Sequence, residues 1–279
     1  SRGGGLLRSL LRRAPPRRRA AAAAESGEAP ERSPVAAALE PLIPIERLER
    51  ARAVLAERTE AVRIVFDHPS EEELGNVSAC LRTLDLFGVQ FAEVVAAPEV
   101  CGGHFGRSSR GSKAWVTLRR WSDARECAAR LREDGYGLLA LEPSREAAEL
   151  QEPLLRAAAR EGPAGPRLAV LLPCGSSLSA DFLDLADARA SLPLRGFAGA
   201  MSLNVTCGVL LASIGAAGLL RGGRLQGERR AAIWDQWLLG LQGGRRGGKV
   251  LRALGLELPR PPEPGPDFLG QAPAAGADD

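Results

Sequence analysis

Ser202 and Asn204 stand at the head of an apolar run, LNVTCGVLLASI, directly behind a loop that carries Gly196 and Gly199. Ahead of that loop a short apolar run closes on Pro193. Serine is a preferred N-cap, so the order reads as strand end, glycine loop, helix start. A junction of this kind aims free backbone N–H groups at one spot and suits a polar ligand. The same residues also make an ordinary crossover with a serine cap, and the local pattern leaves both readings open.

A second stretch, GNVSACLRTLDLFGV over residues 75–89, places Asn76 ahead of Arg82, with Val77, Leu81, Leu84 and Leu86/Phe87 at helical spacing. On its own, an asparagine at a helix start is a cap, and Arg82 is an exposed helix arginine within reach of Asp85. Together, NVSACLRT upstream and SLNVT downstream resemble the SPOUT superfamily of RNA methyltransferases, above all the TrmH-type tRNA (guanosine-2′-O)-methyltransferases. GSKAWV at 111–116, GYGLLAL at 135–141, LAD at 185–187, and DQWLL followed by KVLRALGLELP look like the same family, so the resemblance covers about residues 45–260.

The resemblance implies a reaction and a cofactor, transfer of a methyl group from S-adenosylmethionine to a ribose 2′-hydroxyl of a D-loop guanosine in tRNA. That chemistry needs the methyl and hydroxyl held in line, an exit for the hydroxyl proton and exclusion of water; it needs no metal. By resemblance Arg82 is the residue that activates the hydroxyl. A guanidinium keeps its proton in ordinary surroundings, so clamping a phosphate and steadying the developing alkoxide suit it better. Asn76, by orienting Arg82, and Asn204 complete the reaction centre. The cofactor pocket is expected from Leu141, Leu172, Leu192, Leu194, Gly196, Ser202 and Leu203. Ser112, with Arg107 and Arg110, matches the loop that meets RNA. Arg229, Arg230, Arg245 and Arg246 are further RNA contacts, from a stretch (211–260) with nine basic residues against three acidic ones. Expected partners are tRNA and a second copy of the chain, with no membrane and no metal.

The pattern departs from the family near the cofactor. In LLPCGSSLS, 171–179, Leu172 stands where a first glycine is expected, Cys174 where an acid is, and Ser177 where a second glycine is. A leucine there is expected to narrow the pocket, because glycine lets backbone approach a ligand closely. The loop before SLN, FAGAM, is about two residues longer than usual, and ASIGAAGLL lacks the family's acid and arginine. Two alternatives therefore stand beside an active tRNA enzyme: a degenerate homologue that binds RNA without methyl transfer, and a ribosomal RNA 2′-O-methyltransferase.

The elements that must position these residues alternate. Strands are predicted at 61–66, 89–95, 114–118, 136–141 and 167–172, and helices at 45–60, 76–89, 122–131, 143–160, 179–188 and from 203. This is an α/β class with a mainly parallel sheet and helical extensions at both ends. The resemblance adds a C-terminal trefoil knot over roughly 165–215, which periodicity does not show. The chain divides into an Arg-rich, acid-poor head (1–34), an N-terminal helix (35–60), the catalytic domain (61–215), a helical RNA-binding extension (216–260) and a Pro/Gly/Ala tail (261–279) expected to be disordered. The head has the composition of a transit peptide, which would send the protein to a chloroplast or mitochondrion; as a basic arm on RNA it would leave the protein cytoplasmic. Five widely spaced cysteines without a CxxC pair, and only two histidines, point to a reduced compartment rather than a zinc site. No apolar run reaches the roughly 18 residues of a membrane span. The helix after Ser202 is apolar on nearly every face and so must be covered all round. The candidate covers are a twin subunit and a fold-back of the helix carrying Trp234 and Trp237.

Overall fold

The protein was analysed as a computed structural model that describes residues 33–97, 100, 111–144, 147–162, 165–223, 225 and 227–260. The head, the tail, and the proposed RNA contacts Arg107 and Arg110 lie outside the described residues. The compact unit begins at Ser33.

Two N-terminal helices, α1 (Pro34–Leu39) and α2 (Ile45–Ala56), lead into β1 (Thr59–Asp67), α3 (Leu74–Leu86) and β2 (Val89–Val95). The chain continues as β3 (Thr117–Trp121), α4 (Ala124–Glu133), β4 (Gly137–Leu141), β5 (Ala148–Glu149), α5 (Glu152–Ala158), β6 (Leu168–Pro173), α6 (Ala180–Leu185) and β7 (Ala188–Ser191). It ends with α7 (Leu203–Ala216), α8 (Gly227–Leu241) and α9 (Gly244–Ala253). The strands form one sheet in the order β3-β2-β1-β6-β4-β7-β5. Every pairing in it is parallel.

Sequence and structure differ at several boundaries. The strand expected at 114–118 begins only at Thr117, because Gly111, at φ +88°, turns the chain into a short 3₁₀ turn over Ser112–Ala114. The helix expected from 122 begins at Ala124, because Asp123 caps it, its carboxylate accepting from the Glu126 N–H at 2.8 Å. The helix expected over 143–160 shrinks to α5, with proline in its first turn and the two-residue β5 ahead of it. α3 starts two residues before Asn76, which therefore sits inside the first turn rather than at the cap.

Both faces of the sheet are covered, as a parallel sheet requires. On one face α3, α5 and α7 bury Val77, Cys80, Leu84, Leu155, Leu210 and Ile214 against Ile64, Val94, Leu139 and Val170. On the other, α4 and α6 bury Cys127, Leu131 and Phe182 against Val65, Leu138 and Leu171. β1 is buried at all nine positions even though it contains Arg63. That guanidinium is fully buried, pairs with Glu93 at 2.7 Å, and lies 4.5 Å over the ring of Phe91. Glu93 also accepts from Arg119 and from the Trp121 indole N–H, and Arg119 reaches Asp134 at 3.7 Å, so two buried guanidinium groups share two carboxylates. The remaining helices pack together: Leu39 of α1, Leu48 of α2, Leu238 of α8 and Leu251 of α9 share one cluster. Trp237 of α8 meets Trp115 edge-on, with ring centroids 5.6 Å apart.

Candidate active site

In a parallel sheet, ligands bind outside the carboxyl ends of the strands, where loops and helix starts converge. Here β4, β6 and β7 end at Leu141, Pro173 and Ser191, and the loops that follow, with the start of α7, enclose a pocket. Leu141, Leu192, Leu194 and Leu203 line it as expected. Three expected lining residues do not. Leu172 is fully buried in the sheet core, in the same cluster as Leu141 and Leu203, and does not line the pocket; it leaves the pocket unnarrowed, contrary to the sequence expectation. Gly196 and Ser202 lie on the exposed loop and helix head beside the pocket without lining it. The same loop presents Phe197 fully to solvent.

Residues not named among the expected lining also face the pocket: Glu142, Cys174, Met201 and Thr206, of which Cys174 and Met201 belong to the two stretches that depart from the family pattern. Glu142 was findable, since it follows a buried strand at that strand's carboxyl end. It supplies a carboxylate to a pocket whose family-motif acid is replaced by Cys174. Cys174 cannot take over that charge. Burial, reinforced by Glu73 and Asp67, pushes its thiol up, and it stays neutral at physiological pH.

Ser202 occupies the N-cap position of α7 with extended backbone, yet its hydroxyl makes no capping bond. The serine-cap half of the junction reading therefore fails. The N–H groups of the first turn have no capping side chain and can meet a ligand. Asn204, in the first turn, accepts a hydrogen bond from the Thr83 hydroxyl at 2.6 Å, which fastens the head of α7 to α3.

Thr83 follows Arg82. Arg82 is exposed and, among the described residues, makes no hydrogen bond or ion pair. The plain expectation that it pairs with Asp85 is not met, because Asp85 is held by Arg58 and by the Ser112 hydroxyl at 3.0 Å. Cys80, on the buried face of the same helix, hydrogen-bonds Cys207, and that bond together with burial pushes its thiol up. Asn76 lies six residues, or about 9 Å of helix rise, before Arg82, and no hydrogen bond joins the two. Ser112 is a correction. It is 7% exposed and its hydroxyl is spent on Asp85, so it does not offer itself to RNA. Arg229 is paired with Glu60 at 2.9 Å, whereas Arg245 and Arg246 are exposed and Arg230 is half-buried.

The profile of the SpoU rRNA Methylase family matches residues 61–212, more than half of the chain. The chain belongs to the SpoU methylase family. It is 23% identical over 177 residues to a tRNA (guanosine(18)-2′-O)-methyltransferase of Borreliella burgdorferi, a match spanning 61% of this chain and 72% of that one. Its fold is similar to a crystal structure of the A. aeolicus TrmH/SpoU tRNA modifying enzyme, with a TM-score of 0.58 and 21% identity over 70% of this chain and 96% of the other. The SpoU match spans both the α3 stretch with Arg82 and the start of α7 with Asn204, the two elements joined at Thr83. No described helix is long and apolar enough to cross a membrane.

Proposed function

We propose that this SpoU-family methyltransferase moves a methyl group from S-adenosylmethionine to the 2′-hydroxyl of a guanosine in tRNA, working as a homodimer. One observation carries the reading: the uncapped head of α7 opens on an apolar pocket and is fastened through Asn204 to the helix that carries Arg82, unpaired among the described residues.

The pocket residues fit S-adenosylmethionine. Leu141, Leu192, Leu194 and Leu203 offer apolar walls to its adenosine and methionine portions, and Leu172 leaves that space open. Glu142 offers acceptors for ribose hydroxyls or for the sulfonium charge, and the open N–H groups of α7 suit the carboxylate. When bound, the molecule supplies an electrophilic methyl group on sulfur. The chain's residues do the rest. Arg82 clamps the target phosphate and steadies the developing alkoxide while keeping its own proton. Asn204 fixes the distance between the two helices, and the apolar walls keep water from the methyl group.

The B. burgdorferi and A. aeolicus relatives favour tRNA over ribosomal RNA, and the exposed Arg245 and Arg246 of α9 supply phosphate contacts. The dimer is supported by α7. Leu203, Cys207, Leu210, Leu211 and Ile214 are buried, while Val205, Val209, Ala212 and Ala216 form an exposed stripe on its opposite side. The Trp234/Trp237 helix does not cover that stripe, since α8 packs on α1, α2 and α9. A trefoil knot through β6 and β7 completes the proposal; it is supported by a strand order that inserts β6 between β1 and β4 and returns β7 to the far edge of β4.

The test is calorimetry with S-adenosylmethionine, followed by transfer of its labelled methyl group to tRNA, to the same tRNA with a single 2′-deoxyguanosine, and to a ribosomal RNA fragment. Binding with transfer only to the intact tRNA is expected. Absence of cofactor binding leaves the degenerate homologue. Sedimentation equilibrium should give a dimer, and Val205→Glu with Val209→Glu a monomer; a wild-type monomer that still methylates tRNA removes the homodimer from the proposal.

A further inference from the structure

Arg58 sits just before β1, 1% exposed, and belongs to no part of the pocket. One of its terminal nitrogens donates to the carbonyls of Asp85 and Val89, each at 3.3 Å, and the other pairs with the Asp85 carboxylate. The guanidinium lies 5.2 Å over the ring of Trp237, so α8 closes it from the outside. The second Asp85 oxygen takes the Ser112 hydroxyl at 3.0 Å. Four segments thus meet around one carboxylate: the α2–β1 junction, the end of α3, the turn after Gly111, and α8 through its tryptophan.

Asp85 is the sole acid on α3, and it stands three residues after Arg82. Residues at that spacing on a helix are neighbours, and opposite charges there pair by default. The side chain of Asp85 is 24% exposed, enough to swing toward Arg82 if nothing held it. An Arg82 closed on Asp85 would be neutralised and unable to reach a phosphate or an alkoxide.

We propose that Arg58 is a positioning residue for the methyl transfer: by holding Asp85 with Ser112 and Trp237, it keeps Arg82 open for the substrate. The inference rests on the role of Arg82 under Proposed function. It explains why a full charge is buried where an apolar residue would pack as well, at a place that touches neither cofactor nor RNA. It also gives Ser112 a role in this fold that replaces the RNA contact expected of it.

The experiment uses the full chain and compares kcat at saturating tRNA and S-adenosylmethionine. Arg58→Met keeps much of the length of the side chain and its packing on Trp237 but frees Asp85. Its kcat should fall roughly three- to tenfold, with cofactor affinity unchanged. Adding Asp85→Asn should restore kcat, because no acid then competes for Arg82. A purely structural ion pair would show both the loss and the rescue in melting temperature, with kcat per folded enzyme unchanged throughout. Two results overturn the proposal: wild-type kcat in Arg58→Met, or a folded double variant as slow as the single one. Where Arg58→Met gives too little folded protein, Asp85→Asn alone decides. Near wild-type kcat supports the proposal, and a deep loss in a folded protein overturns it. Arg82→Ala run alongside separates the two levels. If that variant stays active, the role of Arg82 fails; if it is dead while Arg58→Met is unaffected, only the positioning role fails.

Discussion

The contact between α3 and α7 and the contact between the sheet and the C-terminal helices both carry arginines, and they treat them oppositely. At the second, each of three guanidinium groups has an acid. Arg167 and Arg229 grip the two oxygens of Glu60 at 3.0 and 2.9 Å, and Arg58 takes Asp85. At the first, Arg82 has no partner among the described residues, and the head of α7 lacks a capping side chain. Side-chain type does not separate these regions, since both present arginine to a helix surface. What separates them is whether the fold supplies the counter-charge. A paired arginine holds elements together, and an unpaired one waits for a ligand.

The largest effect that can break this comparison is at Arg82. Arg82→Ala should lower kcat for methyl transfer by about a hundredfold or more, the scale of losing a group that steadies developing charge. Melting temperature and S-adenosylmethionine affinity should stay at wild-type values, because the side chain holds no partner that either depends on. A variant with ordinary turnover, or one that loses cofactor affinity, would put Arg82 on the structural side.

A smaller effect sharpens the comparison among the arginines expected to touch RNA. Arg245→Ser with Arg246→Ser should flatten the salt dependence of tRNA binding, by roughly 0.7 to 0.9 log units of slope for each phosphate that is no longer neutralised, and leave melting unchanged. Arg229→Ser should do the reverse. Its removal leaves Glu60 with Arg167 alone, so the melting temperature should drop by about 2–4 °C with the salt slope intact. Equal slopes for both sets would mean that pairing in the free protein does not predict which arginines meet RNA.

The same distinction marks what the sequence showed and what it hid. The α/β alternation was legible because β1, β2 and β4 are buried on both faces and read as apolar runs. Of the site, the sequence showed the four leucines that line the pocket, Leu141, Leu192, Leu194 and Leu203, because local motifs carry them. Leu172 was misplaced because it shares the sheet face of Leu141 but is wholly covered by the core there, and spacing shows a residue's face without showing how deeply it is covered. The partners of Ser112, Arg58 and Arg229 lie 27, 27 and 169 residues away, and this hid the roles of all three. Pairing over such separations leaves no periodic trace. Glu142 escaped because no family motif covers it, although its place after β4 is where a ligand is met.

The smallest effect asks whether the paired region is itself fully satisfied, and it turns on Asp235 of α8. That carboxyl lies above its ordinary range, chiefly through burial, with Glu40 adding to the rise and the Ser33 hydroxyl opposing it. Ser33 caps α1 and donates to Asp235 at 2.5 Å, so the group sits where α1 meets α8. A raised folded value means that the folded chain holds this proton more tightly than the unfolded one. The stability it contributes is complete below the unfolded value of about 3.9 and is lost as pH rises through the folded value. At pH 7 the carboxylate is charged and the contact is weakened. Asp235→Asn keeps an acceptor for Ser33 and removes the charge, so its melting temperature should exceed wild type by about 1–2 °C at pH 7. The gap should close as pH falls toward about 4, because the wild-type carboxyl is then protonated as well. Calorimetric melting of both proteins across that range checks the sign. A variant less stable than wild type at pH 7 would mean that the charged bond from Ser33 outweighs burial, and that α8, like Glu60 and Asp85, uses its acid to bind rather than tolerating it.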